Sequence, residues 1–94
     1  MNESENNENP DVRRRRLRFR AWHRGTREMD LLLGRFADAE MAKLTDADLA
    51  SFEALLEVPD PDLYNWIVGA WETPAAHDTP LLRRLRDFHL GSAR

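Results

Sequence analysis

The chain of 94 residues contains no cysteine, and this absence excludes several kinds of chemistry at once. Without a thiol there is no disulfide framework, no cysteine nucleophile and no cysteine-ligated zinc or iron–sulfur site. The three histidines, His23, His77 and His89, show no metal-ligand spacing among themselves or with nearby acids. The sequence therefore predicts neither a metal centre nor thiol chemistry.

Long hydrophobic runs are also missing. No stretch approaches the roughly eighteen apolar residues that a membrane-spanning helix needs, so we expect no membrane insertion. Residues 1–10 are acidic and rich in asparagine, and they lack the basic start and apolar centre of a secretory signal. We expect a disordered acidic tail over residues 1–10 and a protein that stays in the cytoplasm.

Recognisable catalytic patterns are lacking too. The glycines form neither a phosphate-cradling loop nor a dinucleotide fingerprint, and the serines lie in no nucleophile motif. Glu28 and Asp30 are two positions apart, which places them about 200° apart around a helix and not side by side as a carboxylate pair. These absences favour a binding protein over an enzyme.

Charge is abundant, at 33% of residues, and it is unevenly distributed. From Val12 to Arg27 there are eight arginines and no acid, whereas from Glu28 to Asp78 there are twelve acids and two basic residues. Such opposed charges are typical of a protein that docks on a partner. The basic face from Arg13 to Arg27 leaves an alternative open, a nucleic-acid or acidic-surface binder, although no base-reading module accompanies it. We favour instead a solvated basic helix face, held partly by acids elsewhere in the chain, or a protein partner.

Helical periodicity and capping signals predict five helices and no strand. We expect them over residues 11–23, 26–41, 45–57, 60–71 and 80–90, with Asp11, Thr26, Thr45, Asp60 and Thr79 as N-caps. Each predicted helix has one apolar face. In chain order, the faces are Val12, Phe19 and Trp22 (with Leu17 and Ala21 nearby) on the first helix, and Met29, Leu32, Leu33 and Phe36 on the second. They are Leu49, Phe52, Leu55 and Leu56 on the third helix, Leu63, Trp66, Ile67, Ala70 and Trp71 on the fourth, and Leu81 or Leu82 with Leu85 and Phe88 on the fifth. Gly34 interrupts the second pattern, which a close helix contact would explain. The prediction is an all-α fold, a compact bundle of about five short helices forming a single domain over residues 11–94.

A polar corner, Arg24-Gly25-Thr26-Arg27-Glu28, separates the first two predicted helices. Gly25 suits a left-handed turn after the first helix, and the Thr26 hydroxyl suits the cap of the second. Arg24, Arg27 and Glu28 are then expected on the solvent side of the buried apolar face. Spacing alone favours a simple helix joint carrying a solvated charge pair.

Two segments together resemble a known family. Arg24-Gly25-x-x-Glu28 before an apolar helix, and Asp60-Pro61-Asp62-Leu63-Tyr64-Asn65-Trp66 further on, resemble the succinate dehydrogenase assembly factor family, small proteins that promote flavin attachment. The resemblance extends roughly from Arg15 to Phe88. His23 is a departure, since some relatives carry a second basic residue there.

This resemblance implies a function. It implies an assembly factor, not an enzyme, that binds the flavoprotein subunit of succinate dehydrogenase or of fumarate reductase and promotes covalent attachment of FAD to a histidine of that client. FAD would belong to the client, with no cofactor bound by this chain, which is expected to be a monomer when free and to bind no nucleic acid. The implied partner-binding residues are His23, Arg24, Gly25, Arg27, Glu28, Asp62 and Tyr64.

Overall fold

Five α-helices and two short 3₁₀ helices are found in residues 9–91, the part of the chain that this computed structural model describes. The α-helices are α1 (Pro10–Trp22), α2 (Arg27–Glu40), α3 (Asp46–Leu56), α4 (Asp60–Ile67) and α5 (Pro80–Leu90). Single 3₁₀ turns, Met41–Lys43 and Ala75–His77, lie in the α2–α3 and α4–α5 connections. Because residues 9–91 contain no strand, the predicted all-α class with five helices is confirmed.

The start of α1 differs from the prediction. The Asn9 side chain accepts a hydrogen bond from the Asp11 N–H at 2.7 Å, and Pro10 occupies the first helical position. Proline suits that position because it lacks the N–H that would otherwise be unpaired. Asn9 and not Asp11 is therefore the cap, and the last two positions of the predicted tail are ordered. The rest of that tail, residues 1–8, lies outside the described residues.

Three threonines begin three helices, as predicted. The hydroxyls of Thr26, Thr45 and Thr79 each accept a hydrogen bond from the backbone N–H three residues later, at 3.3, 3.1 and 3.2 Å. At Thr45 the Asp48 carboxylate also accepts the Thr45 N–H, which completes a capping box. Asp60 is the exception: it is the first residue of α4 and not its cap, because its carboxylate is bound to Arg24.

The core is built from one apolar face of each helix. The predicted faces of α2, α3 and α5 are buried or packed against the core, with Leu32 and Phe88 only partly buried. The prediction for α1 is wrong at two positions: Val12 and Phe19 are 42% and 63% exposed. Leu17 and Ala21, which were expected near the apolar face, are fully buried. Phe19 lies two positions from both buried residues, so it faces the opposite side of the helix.

The fourth predicted helix ends earlier than expected. Gly69 adopts φ +80°, and the N–H groups of Ala70 and Trp71 both donate to the Asn65 carbonyl oxygen, at 2.9 and 3.2 Å, which closes a turn. Trp66 is in the core as predicted, but Trp71 lies beyond the helix and is 52% exposed.

Gly34 marks the close helix contact that the sequence suggested. A Cβ atom at this position would lie 2.2 Å from the ring of Trp22, so only glycine lets the indole lie flat on α2. The Trp22 indole N–H then reaches an oxygen of the Asp38 carboxylate at 3.2 Å. This contact fixes how the end of α1 meets α2 and therefore positions the corner between them.

Candidate functional site

The corner between α1 and α2 turns on Gly25. Its φ of +109° is a conformation that side chains with a Cβ rarely adopt, which confirms the predicted role of glycine here. A Cβ built on Gly25 would meet nothing within 4 Å among the described residues. Glycine is therefore needed for its backbone conformation, and the space beside it is open to a partner.

Arg24 does not face solvent as expected. Its side chain is 10% exposed, and its guanidinium donates to the carbonyl oxygens of Leu56 and Val58, both at 2.6 Å. The same group forms an ion pair with Asp60, 2.6 Å from Nη2 to the carboxylate oxygen. Its planar set of donors thus fastens the α3–α4 connection to the corner. Since these groups lie more than 30 residues from Arg24, no local pattern indicates the arrangement.

The backbone of the corner is held by Asp30. One oxygen of this carboxylate accepts the N–H of Arg24 at 2.6 Å and the N–H of Gly25 at 3.3 Å. Asp30 was not among the predicted site residues. The sequence did contain a signal for its role, because Asp30 lies on the opposite side of the helix from Glu28. An acid on the inner side of a first helical turn can reach back and accept unpaired N–H groups.

Arg27 and Glu28 lie on the outer side of the corner. Both are exposed, and neither makes a hydrogen bond or an ion pair within residues 9–91. The His23 ring stacks on the exposed ring of Phe19, with 3.9 Å between their centroids, and its Nδ1 is 2.7 Å from the Phe19 carbonyl oxygen. The corner thus presents a cation, an acid and an aromatic pair.

An open hollow of about 630 Å³ lies beside these groups. Its lining combines predicted site residues with others that the sequence did not single out: Trp22, His23, Gly25, Thr26, Arg27, Asp30 and Leu31. Trp22 belongs to it because Gly34 holds the indole against α2. The aromatic and aliphatic side chains of this lining, together with Arg27, suit an apolar segment of another protein that carries an acid.

The acidic segment at the start of α4 is joined to the corner through Asp60. Asp62, in the first turn of this helix, is half-buried. Tyr64 is partly buried against the core. The ion pair between Arg24 and Asp60 brings the beginning of α4 to the corner, but no hydrogen bond or ion pair within residues 9–91 links Asp62 or Tyr64 to it.

Two further features bear on the kind of site. Within residues 9–91 there is no group of three or more histidine and acid side chains that could hold a metal ion. Over the same residues no helix is long and apolar enough to cross a membrane.

Comparison with known proteins identifies the family. The sequence profile of the family described as "Flavinator of succinate dehydrogenase" matches residues 15–89. The chain belongs to this family. The match contains both segments that carried the resemblance, and the resemblance is thereby confirmed.

Named relatives agree with this assignment. The chain is 46% identical over 78 residues to "FAD assembly factor SdhE" of Acetobacter pasteurianus, covering 83% of this chain and 72% of the relative. It is 40% identical over 80 residues to "Succinate dehydrogenase assembly factor 2, mitochondrial" of Dictyostelium discoideum, covering 83% of this chain and 57% of the relative. It is 34% identical over 86 residues to the protein of the same name from Candida glabrata, covering 87% of this chain and 56% of the relative. The chain therefore spans little more than half the length of these two mitochondrial relatives.

In this member of the family, the arginine run of α1 is largely directed at its own fold. Arg13 and Arg16 bind the two carboxylate oxygens of Glu53 at 2.7 and 2.8 Å, and Arg20 pairs with Glu57 at 2.7 Å. The Arg14 guanidinium donates to the carbonyl oxygens of Met41 and Leu44, at 3.1 and 2.8 Å. Hydrogen bonds from Arg13 foremost, and also from Arg16, hold the pKa of Glu53 below its ordinary value. These contacts give the arginine run a structural role, because they hold α1 against α3 and against the α2–α3 connection.

Proposed function

We propose that this chain binds the flavoprotein subunit of succinate dehydrogenase and promotes covalent attachment of FAD to it. Membership of the flavinator family supports this function, and a bacterial relative is named an FAD assembly factor. The observation that carries the docking site is the corner, where Gly25 is open to approach and Arg27 and Glu28 have no partner within residues 9–91.

In this proposal FAD belongs to the client. The described glycines with positive φ, Gly25 and Gly69, lie in separate turns, so the residues present do not form the glycine-rich cradle that a dinucleotide pyrophosphate requires. The flavin and a client histidine supply the atoms that become bonded, and this chain supplies their alignment. Alignment alone is worth several kcal/mol of a reaction barrier, roughly 7–11 in the best oriented systems.

The chain's own residues then act by preferential binding. A rigid surface that fits only the client conformation with histidine and flavin aligned raises the population of that conformation. Gly25 permits close backbone approach, whereas Arg27 and Glu28 form charge-assisted hydrogen bonds with client groups. Asp62 and Tyr64 extend this surface along α4, and His23 extends it along α1. Arg24, although its guanidinium faces inward, belongs to the same site because it holds these parts together.

The remaining parts of the proposal concern context. The chain acts as a monomer in the cytoplasm, without catalytic residues of its own. The fumarate reductase flavoprotein is the alternative client. The nucleic-acid alternative on the face from Arg13 to Arg27 is less well supported, because most of those arginines contact acceptors in the same chain. We expect DNA binding that is weak and disappears near 200 mM salt, at which phosphate-driven binding has fallen roughly 10³-fold or more.

Glu28→Ala tests the docking site. Co-expressed with the succinate dehydrogenase flavoprotein, the wild-type chain should increase covalent flavin fluorescence of the client band on a denaturing gel. Glu28→Ala should strongly reduce that signal. Because an exposed acid in a first helical turn contributes only about 0.3–1 kcal/mol, its melting temperature should fall by no more than a few degrees.

Asp46→Ala is the matched control. Asp46 is also an exposed first-turn acid, at the start of α3, and it makes no hydrogen bond or ion pair within residues 9–91. It should lose the same small amount of stability and retain full flavin attachment. If Glu28→Ala and Asp46→Ala supported attachment equally well, the corner would not be the docking site. If the wild-type chain left client fluorescence unchanged, the proposed function itself would be wrong.

A further inference from the structure

Asp30 occupies an unusual position relative to the corner. It lies in the first turn of α2, half-buried, with its side chain directed back toward the residues that precede the helix. One carboxylate oxygen accepts two consecutive backbone N–H groups, from Arg24 at 2.6 Å and from Gly25 at 3.3 Å. Glu28, two residues earlier, is exposed on the outside. The two acids at the start of α2 therefore face different surroundings, Glu28 the solvent and Asp30 the backbone of the corner.

The bonds to Asp30 fall where the chain most needs restraint. Gly25 has φ +109°, and glycine has more alternative backbone conformations than any other residue. An unusual backbone conformation persists only when the surrounding structure determines it. Since a Cβ built on Gly25 would meet no atom within 4 Å among the described residues, packing on that side does not supply this restraint. The hydrogen bonds to Asp30 do.

Arg24 fixes the neighbouring residue from the other side. Its backbone N–H is held by Asp30, whereas its guanidinium is held by the carbonyl oxygens of Leu56 and Val58 and by Asp60. The corner is thereby anchored at both the main chain and the side chain of one residue. The exposed groups that follow, Arg27 and Glu28, leave this anchored point in a defined direction.

We propose that Asp30 is a positioning residue for the docking corner. It does not contact the client; it keeps the backbone at Arg24 and Gly25 in the conformation that the client recognises. This inference rests on the proposed function of the corner. When only a fraction of molecules is competent to bind, the apparent dissociation constant rises by the reciprocal of that fraction.

The variants Asp30→Ala and Asp30→Asn separate this role from the charge of Asp30. Asparagine keeps an oxygen that can accept the two N–H groups, whereas alanine removes it. A hydrogen bond to a charged group is worth at least about tenfold in an equilibrium. In a titration of apo flavoprotein subunit and FAD with each variant, Asp30→Ala should need more protein than Asp30→Asn for half-maximal flavin attachment, up to about tenfold more than wild type. The plateau should be unchanged. Asp30→Asn should stay within about threefold of wild type, because neutral hydrogen bonds are weaker but still direct the backbone.

Amide hydrogen exchange of the isolated variants provides a readout that does not depend on the client. The Arg24 amide should exchange about tenfold faster in Asp30→Ala and near the wild-type rate in Asp30→Asn. This result would support the positioning role of Asp30 in the corner even if the client assignment failed.

Several outcomes would overturn the inference. Unchanged half-saturation and unchanged Arg24 exchange in Asp30→Ala would show that Asp30 does not hold the corner. Equal impairment of both variants would mean that the effect comes from the charge of Asp30 or from a direct contact between Asp30 and the client. A lowered plateau with normal half-saturation would place Asp30 in the attachment step. Failure of Asp30→Ala to fold at 10 °C would make it a determinant of the whole fold.

Discussion

Replacing Arg24 by methionine removes the guanidinium that joins the corner to the α3–α4 connection. The side chain is only 10% exposed, and its loss leaves the Leu56 and Val58 carbonyl oxygens and the Asp60 carboxylate without their donor. Removing one partner of a buried charge pair costs about 3–5 kcal/mol. Asp60 retains 24% exposure and can be rehydrated, so we expect about 3 kcal/mol, the lower end of that range. For a domain of this size, the melting temperature should fall by about 12–24 °C.

Arg27→Met is the control that makes this measurement informative. It removes the same group three residues later, from an exposed side chain with no hydrogen bond or ion pair within residues 9–91. Its free energy of unfolding should change by no more than about 0.5 kcal/mol. Thermal unfolding followed by circular dichroism compares the two variants directly. Equal melting temperatures would refute the internal role of Arg24, and a large loss for Arg27→Met alone would reverse the assignment.

Two further predictions concern the packing of α1. Gly34→Ala should destabilise the fold by about 1–2 kcal/mol despite the better helix propensity of alanine, because the new Cβ overlaps the Trp22 ring; an unchanged or raised melting temperature would contradict this. The pKa of Glu53 is lower in the folded protein than its ordinary value of 4.5, so its contribution to stability is present above that value and is lost as pH falls through the folded pKa. Glu53→Gln should therefore lower the melting temperature at pH 7, and its difference from wild type should shrink below about pH 4.5; a constant difference down to pH 2 would contradict the linkage.

The sequence predicted those features that depend on neighbours along the chain. The caps at Thr26, Thr45 and Thr79 each join a hydroxyl to a backbone N–H three residues later. Both partners lie within four consecutive residues, so the local sequence is enough to predict the interaction. The turn at Gly25 was predictable for the same reason, because its conformation is a local property of glycine.

Some errors have local causes, since the Asn9 cap and the turn at Gly69 involve only neighbouring residues. Others fall where residues distant in the chain decide the outcome. Periodicity placed Phe19 and Trp71 on apolar faces, but Leu17 and Ala21 fill the contact of α1, and α4 ends before Trp71 is reached. The start of α4 shifted by one residue because Asp60 binds Arg24, 36 residues earlier in the chain. A contact between residues so far apart cannot be predicted from the local sequence.

The inward guanidinium of Arg24 changes how the Arg-Gly-x-x-Glu motif is understood. Its first residue stabilises the fold, its glycine permits the turn, and Glu28, the last residue, faces outward with no hydrogen bond or ion pair within residues 9–91. Under the proposed function, we therefore expect a substitution at either end of the motif to reduce flavin attachment for a different reason: an unstable protein at Arg24 and a lost contact at Glu28. Activity measurements alone would group the two residues as one site. Only a measurement of stability beside activity distinguishes Arg24, which shapes the corner, from Glu28, which we propose contacts the client.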